Sequence, residues 1–307
     1  VIEIASNDGY LLKNFIEKKI PCLGIEPTKS TADEAEKLNI PIIREFFGEA
    51  LGKRLASKGK QANLIVGNNV YAHVPDINDF TKGLKFLLKT NGTITLEFPH
   101  LMSLIEETQF DTIYHEHFSY LSLHTVSRIF SSAGLRVRHV EKITTHGGSL
   151  RIYGCHQNDK CETSQNVYEL LNKEANRGLL ELETYMSFAD KVIKIKNDLL
   201  SFLIKQKRSG NKVIAYGAAA KGNTLLNYIG IKNDLIDFVV DKSPYKQGKF
   251  LPQSHIPIVS EEKIRNLKPE YILILPWNLK REIIEQLSYV KKWNSKFVVA
   301  IPELKII

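Results

Sequence analysis

Cysteine is scarce in this chain of 307 residues, and long apolar runs are missing altogether. The three cysteines, Cys22, Cys155 and Cys161, form no Cys-x-x-Cys pair, so the sequence indicates neither a disulfide framework nor a zinc site. No apolar run approaches the roughly 20 residues that span a bilayer, which argues against membrane insertion. We therefore expect a cytoplasmic protein in a reducing compartment, without a bound metal.

The charge pattern lacks the signature of nucleic-acid binding. The formal net charge is +8, but glutamates are interspersed among the lysines, which form no single basic arm or stripe. A solvated basic surface accounts for this pattern. A modest positive field also favours an anionic small substrate, for instance one that carries a diphosphate. The sequence leaves the oligomeric state open.

The length of 307 residues fits two domains of ordinary size. The chain starts inside a strand-like run, with neither an initiator methionine nor a signal-peptide pattern, so we expect that a segment upstream is missing. Short β-branched runs alternate with helical patterns, which predicts Rossmann-like α/β structure. The predicted parts are a first domain at 1–158, a helical connector at 159–209 and a second, smaller α/β domain at 210–307.

The predicted elements follow from apolar periodicity. In the first domain, strands of a largely parallel sheet are predicted at 1–4, 22–25, 64–66, 92–97, 136–142 and 150–154, and helices at 10–19, 31–39 and 79–90. In the second domain, strands are predicted at 212–216, 236–240, 271–274 and 296–300. One or two long amphipathic helices are predicted within 164–209.

The opening run, residues 1–10, is predicted to contain a cofactor loop. Gly9 allows close approach of the backbone to a ligand, and the following helix offers its N-terminal amides, although Asx turns before helices are also common without a ligand. Glu26 ends the neighbouring strand, where an acid can accept both ribose hydroxyls of a nucleoside. The loop lacks the G-x-G-x-x-G pattern of dinucleotide sites, which favours S-adenosylmethionine, a cofactor without phosphates.

The predicted cofactor-binding residues lie in or just after short apolar runs of the first domain. They are Glu3, Ser6, Asn7, Asp8, Gly9, Glu26, Pro27, Phe47, Asn68 and Asn69. Phe47 could lie against an adenine face, or Phe46 and Phe47 could both be core residues.

A second group of polar residues looks catalytic. Tyr114, His115, Glu116 and His117 are consecutive, and four proton-handling side chains are costly to bury without partners. Either histidine could remove a proton, with Glu116 or Tyr114 orienting it or donating, while His73 follows another strand at the same edge. A metal site and a solvated loop are the alternatives, although no third metal ligand has convincing spacing.

A glycine-rich turn precedes the last predicted strand of the first domain. Residues 144–151 read Thr-Thr-His-Gly-Gly-Ser-Leu-Arg, and the two glycines indicate a tight turn. His146, Ser149 and Arg151 could then face the substrate, or the turn could be purely structural.

Taken in order, these segments resemble a known family. SNDGYLL, GIEP, NNVYAHVPD, FDTIYHEHFSY and THGGSLR are similar to motifs of S-adenosylmethionine-dependent C-methyltransferases that act on nucleotide-linked ketodeoxysugars. The resemblance covers nearly the whole chain. Family members usually also carry an N-terminal, cysteine-rich zinc-binding module, and nothing in this sequence corresponds to it.

The resemblance implies a mechanism. A base removes the proton beside a ketone, and the resulting enolate attacks the methyl group of S-adenosylmethionine. Carried over, His117 is the general base, Glu116 and Tyr114 are its neighbours, and His73 lies on the facing wall. Either Tyr114 or His73 could donate to the enolate oxygen.

The second domain begins with a strand, a small-residue turn and a helix start at 212–224. Asp241 ends the next strand, which imitates a dinucleotide fingerprint, although the glycine spacing fits poorly. The family resemblance implies instead that the turn and Lys221 help to hold the diphosphate of the sugar nucleotide. Tyr216 and Lys242 lie at the same carboxyl edge and are further candidates for substrate contact. A purely structural domain is the alternative.

The sequence thus predicts an enzyme that methylates a carbon of a nucleotide-linked keto-deoxysugar. An NAD-dependent oxidoreductase and a non-catalytic sugar-nucleotide-binding protein are the competing hypotheses.

Overall fold

Two separate sheets organise the protein, whose computed structural model describes all residues from Val1 to Ile307. One unit comprises Val1–Ser103 and Glu116–Leu180, and the other comprises Leu104–His115 and Glu181–Ile307. Each has its own sheet and its own apolar core. This confirms the predicted pair of Rossmann-like α/β folds. No helix combines the length and the hydrophobicity needed to cross a membrane.

The first unit contains a seven-stranded sheet. Its strands are β1 (Ile2–Ile4), β2 (Leu23–Ile25), β3 (Ile42–Ile43), β4 (Ala62–Asn68), β5 (Leu88–Pro99), β6 (Leu135–Ile143) and β7 (Ser149–His156). The helices, of which α5 continues into the second unit, are α1 (Lys13–Glu17), α2 (Lys29–Lys37), α3 (Glu49–Ser57), α4 (Ile77–Leu87), α5 (Leu101–Glu106), α6 (Leu123–Ser132) and α7 (Gln165–Asn176).

The strand order of this sheet is β3-β2-β1-β4-β5-β7-β6. β1 pairs in parallel with both β2 and β4, so the strand order reverses at β1 and leaves a crevice beyond the carboxyl ends of these strands. β7 is antiparallel to both β5 and β6, whereas the other strand pairs are parallel, so the sheet is largely parallel as predicted. The short connection at 144–148 cannot carry a parallel crossover and instead forms a tight turn.

The first helix is shorter than predicted. The sequence predicts helix at 10–19, but α1 begins only at Lys13. Asp8 Oδ1 accepts from the Tyr10 amide at 3.3 Å, and Gly9 has a φ of 79°. These features form a turn in place of the first helical turn.

The second unit contains a six-stranded sheet in the order β10-β9-β8-β11-β12-β13. Its strands are β8 (Val213–Tyr216), β9 (Val239–Val240), β10 (Ile258–Val259), β11 (Tyr271–Ile274), β12 (Lys296–Val299) and β13 (Lys305–Ile306). Its helices are α8 (Leu182–Arg208), α9 (Ala220–Ile229), α10 (Glu262–Leu267) and α11 (Lys280–Gln286). All strand pairs are parallel except β12 with β13.

The units divide the chain differently from the predicted boundaries. The predicted connector at 159–209 splits, because α7 belongs to the first unit and α8 to the second. Val167 and Leu170 of α7 join the first core, whereas Leu199 and Leu203 of α8 join the second.

A buried glutamate fixes α7 to the start of α6. Both Glu174 oxygens accept backbone amides, from Leu123 at 2.7 Å and from His124 at 2.9 Å. Oε1 also lies 2.7 Å from His100 Nε2. Glu174 is fully buried and satisfies amides that an isolated helix would leave without partners, so it links three separate segments.

We predict that Glu174→Ala destabilises the first unit by about 3 kcal/mol or more, because it strips buried donors of their acceptor. Urea unfolding monitored by circular dichroism measures the loss. Glu169→Ala, on the exposed face of the same helix, is the matched control and should stay within about 0.5 kcal/mol of the parent protein. Equal effects of the two substitutions would contradict the role given to Glu174.

Candidate functional site

The loops after β1 and β2 are tied together by one buried carboxylate. Glu26 Oε2 accepts from the Asn7 amide at 3.1 Å, and Oε1 accepts from the Thr28 amide at 2.9 Å. Glu26 is only 5% exposed. Each carboxylate oxygen retains a second lone pair, so Glu26 can still accept from a ligand.

An apolar pocket of about 620 Å³ lies beside Glu26. Its lining includes Glu26, Pro27, Phe46, Phe47 and Phe80. Phe47 packs edge-on against Phe80 with ring centroids 5.1 Å apart, so it contributes to the core and to the pocket wall at once. Phe46 is 86% exposed, which excludes it from the core.

A polar pocket of about 920 Å³ adjoins the apolar one, because Ala5, Thr28, Val70 and His73 line both. Besides these four, its lining comprises Asn7, Tyr10, Asn68, Asn69, Glu97, Glu116 and His146. Asn69 adopts a φ of 52°, and its amide donates to the Glu97 carbonyl at 2.9 Å, which fixes the loop after β4.

His73 stands at the junction of the two pockets. Its Nδ1 lies 2.9 Å from the Glu116 carbonyl, and its ring centroid lies 4.8 Å from that of His117. Because a carbonyl oxygen only accepts, Nδ1 carries the hydrogen, and in the neutral ring Nε2 keeps a free lone pair. Nε2 is buried without a hydrogen-bond partner, so it is available to a ligand.

Backbone contacts hold the segment that carries Glu116 and His117. The amides of Phe118 and Ser119 both donate to the Ala72 carbonyl, at 2.9 and 3.2 Å. Since Ala72 lies in the 3-10 turn Tyr71–His73, the same turn fixes His73 and the segment opposite it.

Glu97 is a pocket residue that the sequence analysis did not identify. It accepts from Thr145 Oγ1 at 2.8 Å and from Arg151 Nη2 at 3.1 Å. Thr145 begins the turn that presents His146, which has a φ of 56°. Glu97 therefore both lines the polar pocket and anchors the turn of His146.

Several predicted residues have structural roles instead of lining these pockets. Ser149 is buried, and its hydroxyl donates to the Thr145 carbonyl at 3.0 Å. Arg151 pairs with Glu97, as above, and its Nη1 lies 3.8 Å from Glu141. These contacts give Ser149 and Arg151 roles in the fold in place of the predicted substrate contact.

Part of the predicted cofactor set also lies outside the pockets. A Cβ on Gly24 would come within 2.4 Å of Ser6 Oγ, so the Ser6 hydroxyl faces β2. Gly9 is required by packing, because a Cβ there would meet Ile40 at 2.3 Å. Asp8 is exposed and closes the turn before α1, while Glu3 is buried within the sheet.

The predicted catalytic run crosses the boundary between the units. Glu116 and His117 belong to the first unit, whereas Tyr114 and His115 end a segment of the second. That segment is anchored by Asp111, whose Oδ2 accepts from Trp277 Nε1 at 2.8 Å. Burial raises the pKa of Asp111 to about 6.

The turn after β8 is closed by its own neighbours. Asp241 Oδ2 accepts from the Ala218 amide at 2.8 Å, and Oδ1 accepts from the Ser243 amide at 2.8 Å. Lys246 Nζ lies 3.4 Å from the same carboxylate. Asp241 therefore closes its own turn, and the glycine spacing of that turn still fits a dinucleotide site poorly.

The three predicted substrate contacts of the second domain differ in their surroundings. Tyr216 is buried, and its hydroxyl accepts from Gln286 at 2.6 Å, so we leave it out of the substrate site. Lys221 donates to Asn278 Oδ1 at 2.9 Å, and desolvation lowers its pKa. Lys242 is exposed.

The paired pockets of the first unit fit S-adenosylmethionine. The apolar pocket suits a nucleoside, with Glu26 as the hydrogen-bond acceptor. The polar pocket suits an amino-acid chain, which the side-chain amides of Asn7, Asn68 and Asn69 could bind. His, Cys, Asp and Glu side chains form no group of three or more that could hold a metal ion.

Comparison with protein families matches both parts of the chain. Residues 1–140 match the model of a methyltransferase domain, and residues 144–302 match the model of a C-methyltransferase C-terminal domain. The C-methyltransferase NovU of Streptomyces niveus is 35% identical over 307 residues, which is 100% of this chain and 73% of that protein.

Solved structures overlap with about half of the chain. A methyltransferase from Mesorhizobium loti has a TM-score of 0.39 at 11% identity, covering 50% of this chain and 88% of its own. The magnesium protoporphyrin IX methyltransferase of Synechocystis PCC 6803, solved with S-adenosylmethionine, has a TM-score of 0.38 at 11% identity, covering 50% of this chain and 68% of its own.

The buried carboxyl of Glu3 in β1 should make the stability of the protein depend on pH. Burial raises its pKa from the ordinary 4.5 to about 8, so between these values unfolding releases a proton. The stability that Glu3 contributes is fully present below pH 4.5 and is lost as the pH rises through about 8. Glu3→Gln should remove this loss and gain stability relative to the parent as pH rises.

Urea midpoints across this pH range measure the difference between Glu3→Gln and the parent. Glu17→Gln, at an exposed position of α1, is the control and should follow the parent curve. Parallel curves for the parent and Glu3→Gln would show that Glu3 does not bind its proton more tightly in the folded state.

Proposed function

The chain belongs to the family of S-adenosylmethionine-dependent C-methyltransferases, and we propose that it methylates the carbon beside the ketone of a nucleotide-linked keto-deoxysugar. The observation that supports this substrate most directly is the polar pocket. His73, Glu97, Glu116 and His146 line it, directly beside the pocket that fits the cofactor's nucleoside. These side chains can accept hydrogen bonds from sugar hydroxyls. They also include groups that can act as a base toward the C–H bond beside a ketone.

Glu26 and Phe47 are proposed to bind the adenosine part of the cofactor, and Asn7, Asn68 and Asn69 its amino-acid part. Pro27 completes the apolar wall. The cofactor supplies an electrophilic methyl group when bound. The residues of this chain have to place an electron-rich carbon against it and exclude competing nucleophiles.

His117 is proposed as the general base. Its imidazole nitrogen takes the proton from the carbon beside the ketone, and the electron pair of the broken C–H bond passes into the enolate. The ketone makes this hydrogen acidic enough for a base of near-neutral pKa. Glu116, adjacent in the chain, is proposed to orient the base.

The enolate oxygen requires a hydrogen-bond donor. His73 donates through Nδ1 to the Glu116 carbonyl, so a neutral His73 has no hydrogen left on Nε2. We therefore assign the donor role to the Tyr114 phenol. His73 becomes the residue that holds the Glu116–His117 backbone and offers Nε2 as an acceptor to the ligand.

Lys221 and Lys242 are proposed as diphosphate-binding residues. A diphosphate would be attracted by these cations and by the net positive charge of the chain. The protein is proposed to work in the cytoplasm, where nucleotide sugars and the cofactor are both available to it.

Glu26→Gln is predicted to weaken binding of S-adenosylhomocysteine roughly 10- to 100-fold, because the amide cannot accept from both backbone donors and a ribose. Isothermal titration calorimetry measures the affinity. Glu17→Gln serves again as the exposed control and should bind as the parent does. Unchanged affinity of Glu26→Gln would remove Glu26 from the cofactor site.

His117→Ala is predicted to lower the rate of methyl transfer roughly 10²- to 10⁴-fold, the usual contribution of a general base. Transfer of labelled methyl to a panel of nucleoside-diphosphate-linked keto-deoxysugars measures it. S-adenosylhomocysteine affinity should be retained, since His117 is not among the proposed cofactor contacts. His255→Asn, an exposed histidine with a φ of 54°, is the control.

Turnover that survives in His117→Ala but falls in His115→Ala would move the base to His115. Turnover that survives in both would contradict a histidine base in this segment.

A further inference from the structure

Two cysteines of the first unit lie in direct contact outside the pockets described above. Cys155 Sγ and Cys161 Sγ are 3.4 Å apart, and both are free thiols. Cys155 lies near the end of β7, whereas Cys161 lies in the segment between β7 and α7 that has no regular secondary structure. Neither residue lines the apolar or the polar pocket.

Arg136 of β6 organises this segment. Its guanidinium donates to Thr163 Oγ1 at 2.8 Å, to the Asp159 carbonyl at 2.9 Å and to the Cys161 carbonyl. Arg136 is also the register partner of Cys155 across the β6–β7 pair. The loop therefore folds back over β7 and keeps Cys161 above Cys155.

The two thiols differ in their surroundings. Cys161 is exposed, and Arg136 Nη2 lies 3.3 Å from its sulfur, which places a permanent positive charge beside it. Reactive cysteines occupy such partly exposed, electropositive surroundings. Burial, reinforced by the neighbouring Cys161, raises the pKa of Cys155 to about 12, so Cys155 stays protonated and inert toward reagents in solution.

We propose that Cys155 and Cys161 form an oxidation site, at which a hydroperoxide converts the two thiols into an intramolecular disulfide. Cys161 loses its proton to solvent and attacks one peroxide oxygen as the thiolate; the S–O bond forms, the O–O bond breaks, and the other oxygen leaves as hydroxide, which takes up a proton to form the first molecule of water. Cys155 then attacks the sulfenic sulfur; the S–S bond forms, the S–O bond breaks, and its proton leaves with the oxygen as water. Two thiols lose two electrons, and hydrogen peroxide becomes two molecules of water.

The geometry permits this reaction with a small movement. A disulfide requires sulfurs about 2.05 Å apart, so the contact has to shorten by roughly 1.4 Å. Cys161 can provide the movement because its segment is irregular and exposed, whereas Cys155 is held in β7. A bond here closes a short loop, which should raise the melting temperature modestly and leave methyl transfer unchanged.

Peptide mapping tests the proposal without any variant. The protein is treated with hydrogen peroxide, alkylated and digested with trypsin, which cleaves after Arg151, Lys160 and Lys173. Cys155 and Cys161 then fall in separate peptides, at 152–160 and 161–173, while Cys22 lies in 20–29. A linked pair of the first two peptides that dithiothreitol separates is the expected product, with Cys22 alkylated as before.

Variants assign the order of the two steps. Cys161→Ser should abolish the linked product and leave Cys155 unoxidised, whereas Cys155→Ser should stop at a Cys161 sulfenic acid that dimedone traps. Cys22→Ser is the control and should form the linkage as the parent does. Full alkylation of both cysteines after peroxide, a linkage to Cys22, or irreversible oxidation of Cys161 without any linkage would each overturn the proposal.

Discussion

The Glu26 carboxylate is the constraint on which the proposed cofactor site depends. A buried acid is costly unless its oxygens find donors, and here the donors are backbone amides of two different loops. The loops after β1 and β2 are therefore held at a fixed separation without any side chain of the first loop taking part. The pocket walls follow from this, since Ala5 and Thr28, on the two loops so joined, line both the apolar and the polar pocket.

His73 performs a comparable function on the opposite wall. Its ring joins the turn after β4 to the Glu116 carbonyl, and the Ala72 carbonyl accepts from the amides of Phe118 and Ser119 in the same segment. The segment that carries the proposed base is thus positioned through its own backbone, so substitutions of its side chains leave these contacts intact. Membership of the family accounts for S-adenosylmethionine as the cofactor. The histidine and glutamate side chains of this wall suit removal of a proton from a carbon beside a ketone.

The positions of the central strands could be predicted from the sequence because they depend on the pattern of neighbouring residues. The β-branched runs located the long central strands β4 and β5. Glu26 was proposed on similar grounds, because an acid at the end of a second strand can bind a ribose in such folds, and its role stays a prediction. Glu97 could not be predicted in the same way. Its role depends on the antiparallel register that puts Arg151 opposite it, and on Thr145, 48 residues away.

The other differences between the predictions and the structure also arise from contacts between residues that are distant in the sequence. Ser149 and Arg151 are polar residues beside a turn, and only the strand pairing shows that they satisfy Thr145 and Glu97 instead of facing a ligand. Residues 104–115 were assigned to the first domain by position, yet Phe110 packs in the second core and Asp111 bonds Trp277. Likewise, the spacing of Cys155 and Cys161 matches no pairing motif, and the fold alone brings their sulfurs together.

Retention or loss of a single hydrogen isotope tests the central claim most directly. A keto-deoxysugar nucleotide deuterated at the carbon beside the ketone is methylated, and the product is analysed by mass spectrometry. Removal of that hydrogen by a base before carbon methylation predicts one deuterium released to solvent for each methyl group transferred. A methylated product that keeps its deuterium would place the methyl group elsewhere and contradict the proposed enolate chemistry.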